Sequence, residues 1–121
     1  MSKFVIREVT SGVKFDLKAT NGQIILSSEV YATRAAAIKG IASIRQNAPI
    51  ANVENQTEEG CKTLTHPKFE MYADKAGEFR FRLKARNGKI VGISEGYTSK
   101  AGCLNGIESV MKNAAEAEIE E

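Results

Sequence analysis

The segment from Phe15 to Ala48, FDLKATNGQIILSSEVYATRAAAIKGIASIRQNA, aligns without a gap on the segment from Phe81 to Ala114, FRLKARNGKIVGISEGYTSKAGCLNGIESVMKNA. The shift is a constant 66 residues (81 minus 15), and identical pairs run from Phe15/Phe81 and Leu17/Leu83 through Asn21/Asn87, Gly22/Gly88, Ser28/Ser94, Glu29/Glu95, Tyr31/Tyr97 and Gly40/Gly106 to Asn47/Asn113. Upstream, KFVIREV corresponds to KFEMYAD once the loop before Phe79 takes one extra residue. Downstream, APIANVEN corresponds to AAEAEIEE. A pattern written twice confines the chain to two copies of one supersecondary unit, because both copies obey the same local rules. In 121 residues two separate cores would each be too small to bury much surface, so one shared core is expected. The predicted organisation is a single pseudo-twofold domain over 1–121, with repeat 1 at 1–54, a linker at 55–67 and repeat 2 at 68–121.

Each unit reads as strand, hairpin, strand, turn, strand, helix and short final strand. In FRFRLKAR, Phe79, Phe81, Leu83 and Ala85 alternate with Arg80, Arg82, Lys84 and Arg86, the period of a half-buried strand. Asn87-Gly88 and Asn21-Gly22 follow; this dipeptide is the strongest short hairpin signal and predicts a type I′ turn. QIILSS and KIVGIS are apolar on both sides of the alternation, which predicts strands inside the sheet. Thr33 and Ser99 are suited to cap the helices by accepting from a first-turn N–H. The expected buried stripes are Leu104, Ile107, Val110, Met111 and Ala114, matched by Ile38, Ile41, Ile44 and Ala48. Pro49 is expected to end the first helix. Gly40 and Gly106 are mid-helix glycines, each costing about 1 kcal/mol relative to alanine. Close backbone approach, helix to sheet or helix to helix, is the expected compensation.

Composition and motifs narrow the function classes. A hydrophobic fraction of 42% with 26% charged residues fits a globular protein. No apolar run approaches a span and MSKFVIREV shows no cleavable apolar segment, so a cytoplasmic location without membrane contact is expected. Two cysteines, Cys61 and Cys103, indicate neither a disulfide framework nor a metal cage. There is no G-x-S-x-G elbow, no Walker loop and no histidine besides His66, which sits in the linker before Pro67 and reads as structural or neutral. Enzymatic activity and a cofactor are therefore not expected.

The run NGKIVGISEGYTSKAGCLNGIESVMKNA, with its NG, SEGY, S-K, NGI and NA pattern, resembles the YegP-like family of bacterial and archaeal proteins of unknown function. Repeat 1 departs from it where Val30, Arg34 and Lys39 stand in place of Gly96, Lys100 and Asn105. The resemblance implies an α+β fold of two tandem β-β-β-α-β repeats, forming one antiparallel-rich sheet with exchanged final strands and two helices on one face. It implies that one-unit members reach the same arrangement as dimers, so that this chain, with its twofold satisfied internally, is expected to be a monomer. It implies no activity and no catalytic residue.

Two polar constellations remain as candidate binding residues. Glu95 and Tyr97, with twins Glu29 and Tyr31, are placed to share one side of an extended segment and line a groove. The preferred reading is structural, with Tyr97 packed over the helix start and Glu95 accepting a hydrogen bond. The second candidate is the basic face formed by Arg80, Arg82, Lys84, Arg86 and Lys89, which is suited to track phosphates. Against that, Phe79 and Phe81 face away from the arginines, and Glu116, Glu118 and Glu120 are available to neutralise the stripe across strands. The expected function is a non-enzymatic binding or interaction module for an unknown protein or small molecule. Salt-sensitive nucleic-acid binding through the strand from Arg80 to Lys89 is the alternative.

Overall fold

The computed structural model describes residues 2–120. Repeat 1 supplies β1 (Lys3–Val9), β2 (Gly12–Lys18), β3 (Ile24–Ser27), α1 (Arg34–Asn47), a 3-10 turn (Ala48–Ile50) and β4 (Asn52–Asn55). Repeat 2 supplies β5 (Lys68–Ala73), β6 (Phe79–Lys84), β7 (Ile90–Ile93), α2 (Lys100–Asn113) and β8 (Glu118–Glu120). All eight strands form one sheet in the order β4-β5-β6-β7-β3-β2-β1-β8. The last strand of each repeat pairs in parallel with the first strand of the other, β4 with β5 and β8 with β1, while every other ladder is antiparallel. The final strands are thus exchanged, and the apolar third strands β3 and β7 lie at the centre. They meet through one bridge, Ser27 to Ile93.

Both helices cover the same face. Phe15, Leu17, Leu26, Phe69, Met71, Phe81 and Leu83 form one core with Ile41, Ile44, Ile107 and Val110. Each large side chain removed from water in this way contributes about 1.5–3 kcal/mol. The helix α1 lies over β2 and β7 while α2 lies over β6 and β3, so each helix crosses the seam onto the other repeat. Thr33 accepts from the Ala36 N–H and Ser99 from the Gly102 N–H, as their sequence positions predict. The 3-10 turn carries Pro49 just beyond α1.

Three expectations are corrected. The buried stripe begins one residue earlier than predicted, at Ala37, Gly40, Ile41 and Ile44 and at Cys103, Gly106, Ile107 and Val110, which leaves Ile38 and Leu104 exposed. The cause lies at the glycines. A Cβ on Gly106 would stand 2.8 Å from Cζ of Tyr97, nearer still to its hydroxyl, and 3.0 Å from Phe81. Gly40 meets Tyr31 and Phe15 in the same way. The close approach is therefore helix to tyrosine ring, not backbone to backbone. It turns the glycine edge of each helix inward.

The hairpins are not type I′ either. Gly22 and Gly88 have φ of 84° and 81°, and neither asparagine has positive φ. The Gly22 N–H donates to the Ala19 carbonyl and the Ala19 N–H to the Gln23 carbonyl, leaving a three-residue loop whose last residue alone is left-handed. That is a type I turn with a glycine bulge, and the register shifts at Leu17/Lys18 and Leu83/Lys84 accordingly. The asparagines keep ordinary φ because their side chains stabilise the loop: Oδ1 of Asn21 accepts from the Gln23 N–H, and Oδ1 of Asn87 from the Lys89 N–H.

Candidate functional site

The basic strand is largely committed to acids, although not to the predicted ones. Arg80, Arg82 and Lys84 do alternate with the buried Phe81 and Leu83, on the face away from the helices. Arg80 Nε donates to Asp74 Oδ2 at 2.8 Å and its Nη1 to the Ser94 carbonyl at 3.2 Å. Arg82 Nε donates to Glu70 Oε1 at 2.6 Å while its guanidinium lies over the Tyr72 ring. Lys84 Nζ stands 3.3 Å from the same Glu70 oxygen. The C-terminal glutamates cannot play this part because β8 occupies the opposite edge of the sheet, where Glu120 pairs with Lys3. The register of the β5–β6 hairpin, which sets Glu70 opposite Arg82, is the sequence signal that identifies the true partner.

Glu70 belongs to a buried network. Lys68 lies between Glu54, at 2.8 Å, and Glu70, at 3.2 Å, with all three residues 4% exposed or less. Glu54 also accepts from the Gln56 side chain and from the Leu64 N–H, and so holds the linker across the edge of the sheet. Burial alone would raise the Glu54 carboxyl, but the hydrogen bonds from Lys68, Gln56 and Leu64 outweigh it and bring the pKa to about 2. Glu70 is lowered in the same way, burial being overcome by Arg82, Lys68 and Lys84.

Tyr97 is a packing residue. Its ring stacks on Phe81, as that of Tyr31 stacks on Phe15, and its N–H and carbonyl bridge to Phe79. Burial, then Cys103 and Glu95, raise its phenol pKa. Glu95 is exposed, and its side chain makes no hydrogen bond among the described residues, contrary to expectation. Its carbonyl accepts from Ser94 Oγ instead. Glu95 and Tyr97 do line one cleft, shared with Gly22, Gln23 and Ile24 of the other repeat. The Val30/Gly96 difference between repeats is compensated across the same packing: Gly96 lies against the Glu78 side chain, whereas Val30 lies against Gly12. Small and large residues have changed places.

Arg86 and Lys89 differ from the rest of the stripe. They flank the β6–β7 turn, both are exposed, and neither side chain has a hydrogen bond or ion pair among the described residues. Arg86 lines a cleft of about 560 Å³ with Ser43, Gln46 and Asn47 of α1 and with Ala85 and Asn87. Lys89 lines an adjoining space of about 660 Å³ with Glu29, Tyr31, Ser43, Ala85, Asn87 and Lys84, whose ammonium is held by Glu70. Ser43, Ala85 and Asn87 border both, so the two adjoin and make up one cleft region between α1 of repeat 1 and the hairpin of repeat 2. It exists because α1 crosses the seam onto β7. Nothing in a linear reading juxtaposes Ser43 with Arg86, so the helix half of this site was missed. His66 abuts the turn, within 3.7 Å of where a Cβ on Gly88 would stand.

Fold and cleft together define a two-repeat α+β module with exchanged edge strands and a ligand-sized cleft built jointly by both repeats. The family described as a domain of unknown function, DUF1508, matches residues 12–55 and 74–121, and the chain belongs to it. The UPF0339 protein YegP of Yersinia pestis is 39% identical over 122 residues, covering 100% of this chain and 96% of that protein. A UPF0339 protein of Treponema denticola is 61% identical over 54 residues, which is 45% of this chain but 93% of that protein, so relatives of about one repeat exist. The solution NMR structure of yegP from E. coli, a protein of unknown function, matches with a TM-score of 0.78 at 33% identity, covering 98% of this chain and 90% of that one.

Proposed function

We propose that residues 1–121 act as one monomeric, cytoplasmic, non-enzymatic binding module whose ligand seat is the cleft between α1 and the β6–β7 hairpin. The observation that carries this reading is the placement of Arg86 and Lys89. Of the five cations expected to form a binding surface, these two have no acidic partner among the described residues, and they open onto adjoining parts of that cleft region. Arg80, Arg82 and Lys84 would each have to leave an acid to meet a phosphate, and the Phe81 ring is buried, which disfavours the nucleic-acid alternative. No described helix is long and apolar enough to cross a membrane.

The test is amide NMR of the 15N-labelled protein, titrated with the small-molecule filtrate of a cell lysate. Shifts at Ser43, Gln46 and Asn87 to Lys89 are expected. Silence at those amides, combined with salt-sensitive retardation of single-stranded oligonucleotides lost in Arg82→Glu, would transfer the function to the strand.

A further inference from the structure

We infer that the cleft takes a small molecule carrying an oxyanion, carboxylate or phosphate, together with a hydroxyl or ammonium group elsewhere in the same molecule; this rests on the binding reading above. The oxyanion follows from donor supply. Arg86 and Lys89 offer full charges, and the neutral groups beside them are also turned to donate. Asn87 uses its Oδ1 to accept from the Lys89 N–H, which leaves its amide NH2 as the free end. Ser43 Oγ accepts from Asn47 Nδ2 at 3.2 Å, so the Ser43 hydroxyl keeps its proton for another acceptor. A guanidinium, an ammonium, an amide NH2 and a hydroxyl proton around one cleft match a carboxylate or phosphate. Arginine in particular can meet either one with two parallel hydrogen bonds.

The second group follows from the acceptors. The Glu29 carboxylate is exposed and lines the Lys89 part of the cleft beside Tyr31. A ligand bearing only oxyanions would be repelled there, whereas a hydroxyl or an ammonium would be held.

The pseudo-twofold mate of the cleft provides an internal control. There the hairpin carries Thr20 and Gln23 in place of Arg86 and Lys89 (20 and 23 plus 66), facing Glu95 and Tyr97. The mate lacks the hairpin cations and has one cation on its helix instead, Lys112 where α1 has Gln46 (46 plus 66), so it should take an oxyanion more weakly.

Amide NMR of the full chain with inorganic phosphate, O-phosphoserine and glutamate, each against chloride at equal ionic strength, tests the inference and separates phosphate from carboxylate. Saturable shifts at Ser43 and Asn87 to Lys89, reached at lower concentration than any at Ala19 to Gln23, are expected. O-phosphoserine should bind about tenfold tighter than inorganic phosphate, the ratio that one added charged hydrogen bond supplies. Arg86→Gln with Lys89→Gln should abolish saturation, and Glu29→Gln should remove the O-phosphoserine advantage while phosphate itself binds at least as tightly as before. These side chains are exposed, so unchanged spectra elsewhere verify the fold. Equal shifts in both clefts, or binding that survives the double substitution, would overturn the assignment. Lysate filtrate that moves the cleft amides when none of the three probes does would reject this ligand class but keep the binding reading; silence toward both rejects both.

Discussion

A methyl group added at Gly106 would press on the Tyr97 phenol, and the ring has little freedom to move aside. It is stacked on Phe81 with centroids 6.3 Å apart, and its own backbone is bonded in both directions to Phe79. Helix propensity favours alanine over glycine by about 1 kcal/mol, while overpacking a tight contact costs about 1–3 kcal/mol. Gly106→Ala is therefore expected to destabilise, by up to about 2 kcal/mol net. A urea midpoint that falls would support this and one that rises would refute it. Tyr97→Phe in the same background should recover part of the loss, because the hydroxyl is the atom nearest the added methyl. The sequence shows that a glycine stands mid-helix in both copies. It does not show why, because the cause is a side chain nine residues earlier (106 minus 97), brought back over the helix by the turn at Ser99.

At the level of elements, β4 and β5 are joined by charge as much as by their backbone ladder. The network of Glu54, Lys68 and Glu70 ties the last strand of repeat 1, the linker and the first strand of repeat 2 into one edge. Both carboxyls are held below their ordinary range in the folded state, so their contribution is present above the unfolded value near 4.5 and is lost as pH falls toward the folded one, about 2 for Glu54. Stability should accordingly drop between about pH 4.5 and 2. Glu54→Gln should flatten that slope and lower stability at neutral pH by about 1–3 kcal/mol, since Lys68 loses a charged hydrogen bond. Urea midpoints across that pH range decide it; an unaltered slope would mean that Glu54 does not carry the effect. The network was only half legible beforehand. Alternation placed the cations of β6 on one face, but choosing Glu70 over the C-terminal glutamates required strand order, a property of the whole sheet. The binding cleft was legible to the same extent: Arg86 and Lys89 stood out against Thr20 and Gln23, whereas Ser43 and Asn47 came from a helix whose crossing of the seam no local pattern encodes.

For the whole molecule, the repeat and the alternating strands made element order, the central place of β3 and β7 and the shared core readable, and the exchange of final strands followed from family resemblance. The contact on the pseudo-twofold axis was not readable, because equivalent positions meet near their own copies there. Leu26 and Gly92 are such equivalents (92 minus 26 is 66), and a Cβ on Gly92 would lie 2.6 Å from Cγ of Leu26. With β3 and β7 joined by a single bridge, this knob and its hole are a direct side-chain fit between the two strands at the seam. Two leucines there would overfill the space and two glycines would leave it open, so the tandem chain has an option closed to a symmetric dimer of one unit: one large residue and one small. Gly92→Leu should destabilise by at least about 1–3 kcal/mol, the range for overpacking a closed core. Leu26→Gly should destabilise by about 2–5 kcal/mol through the cavity it opens. Because the axis relates the two positions, the transposed protein with both substitutions should be more stable than the sum of the single losses allows, a coupling that a double-mutant cycle measures directly. Strict additivity in that cycle would mean that the seam does not depend on this pair, and that the halves are held together by the exchanged strands and the helices that cross it.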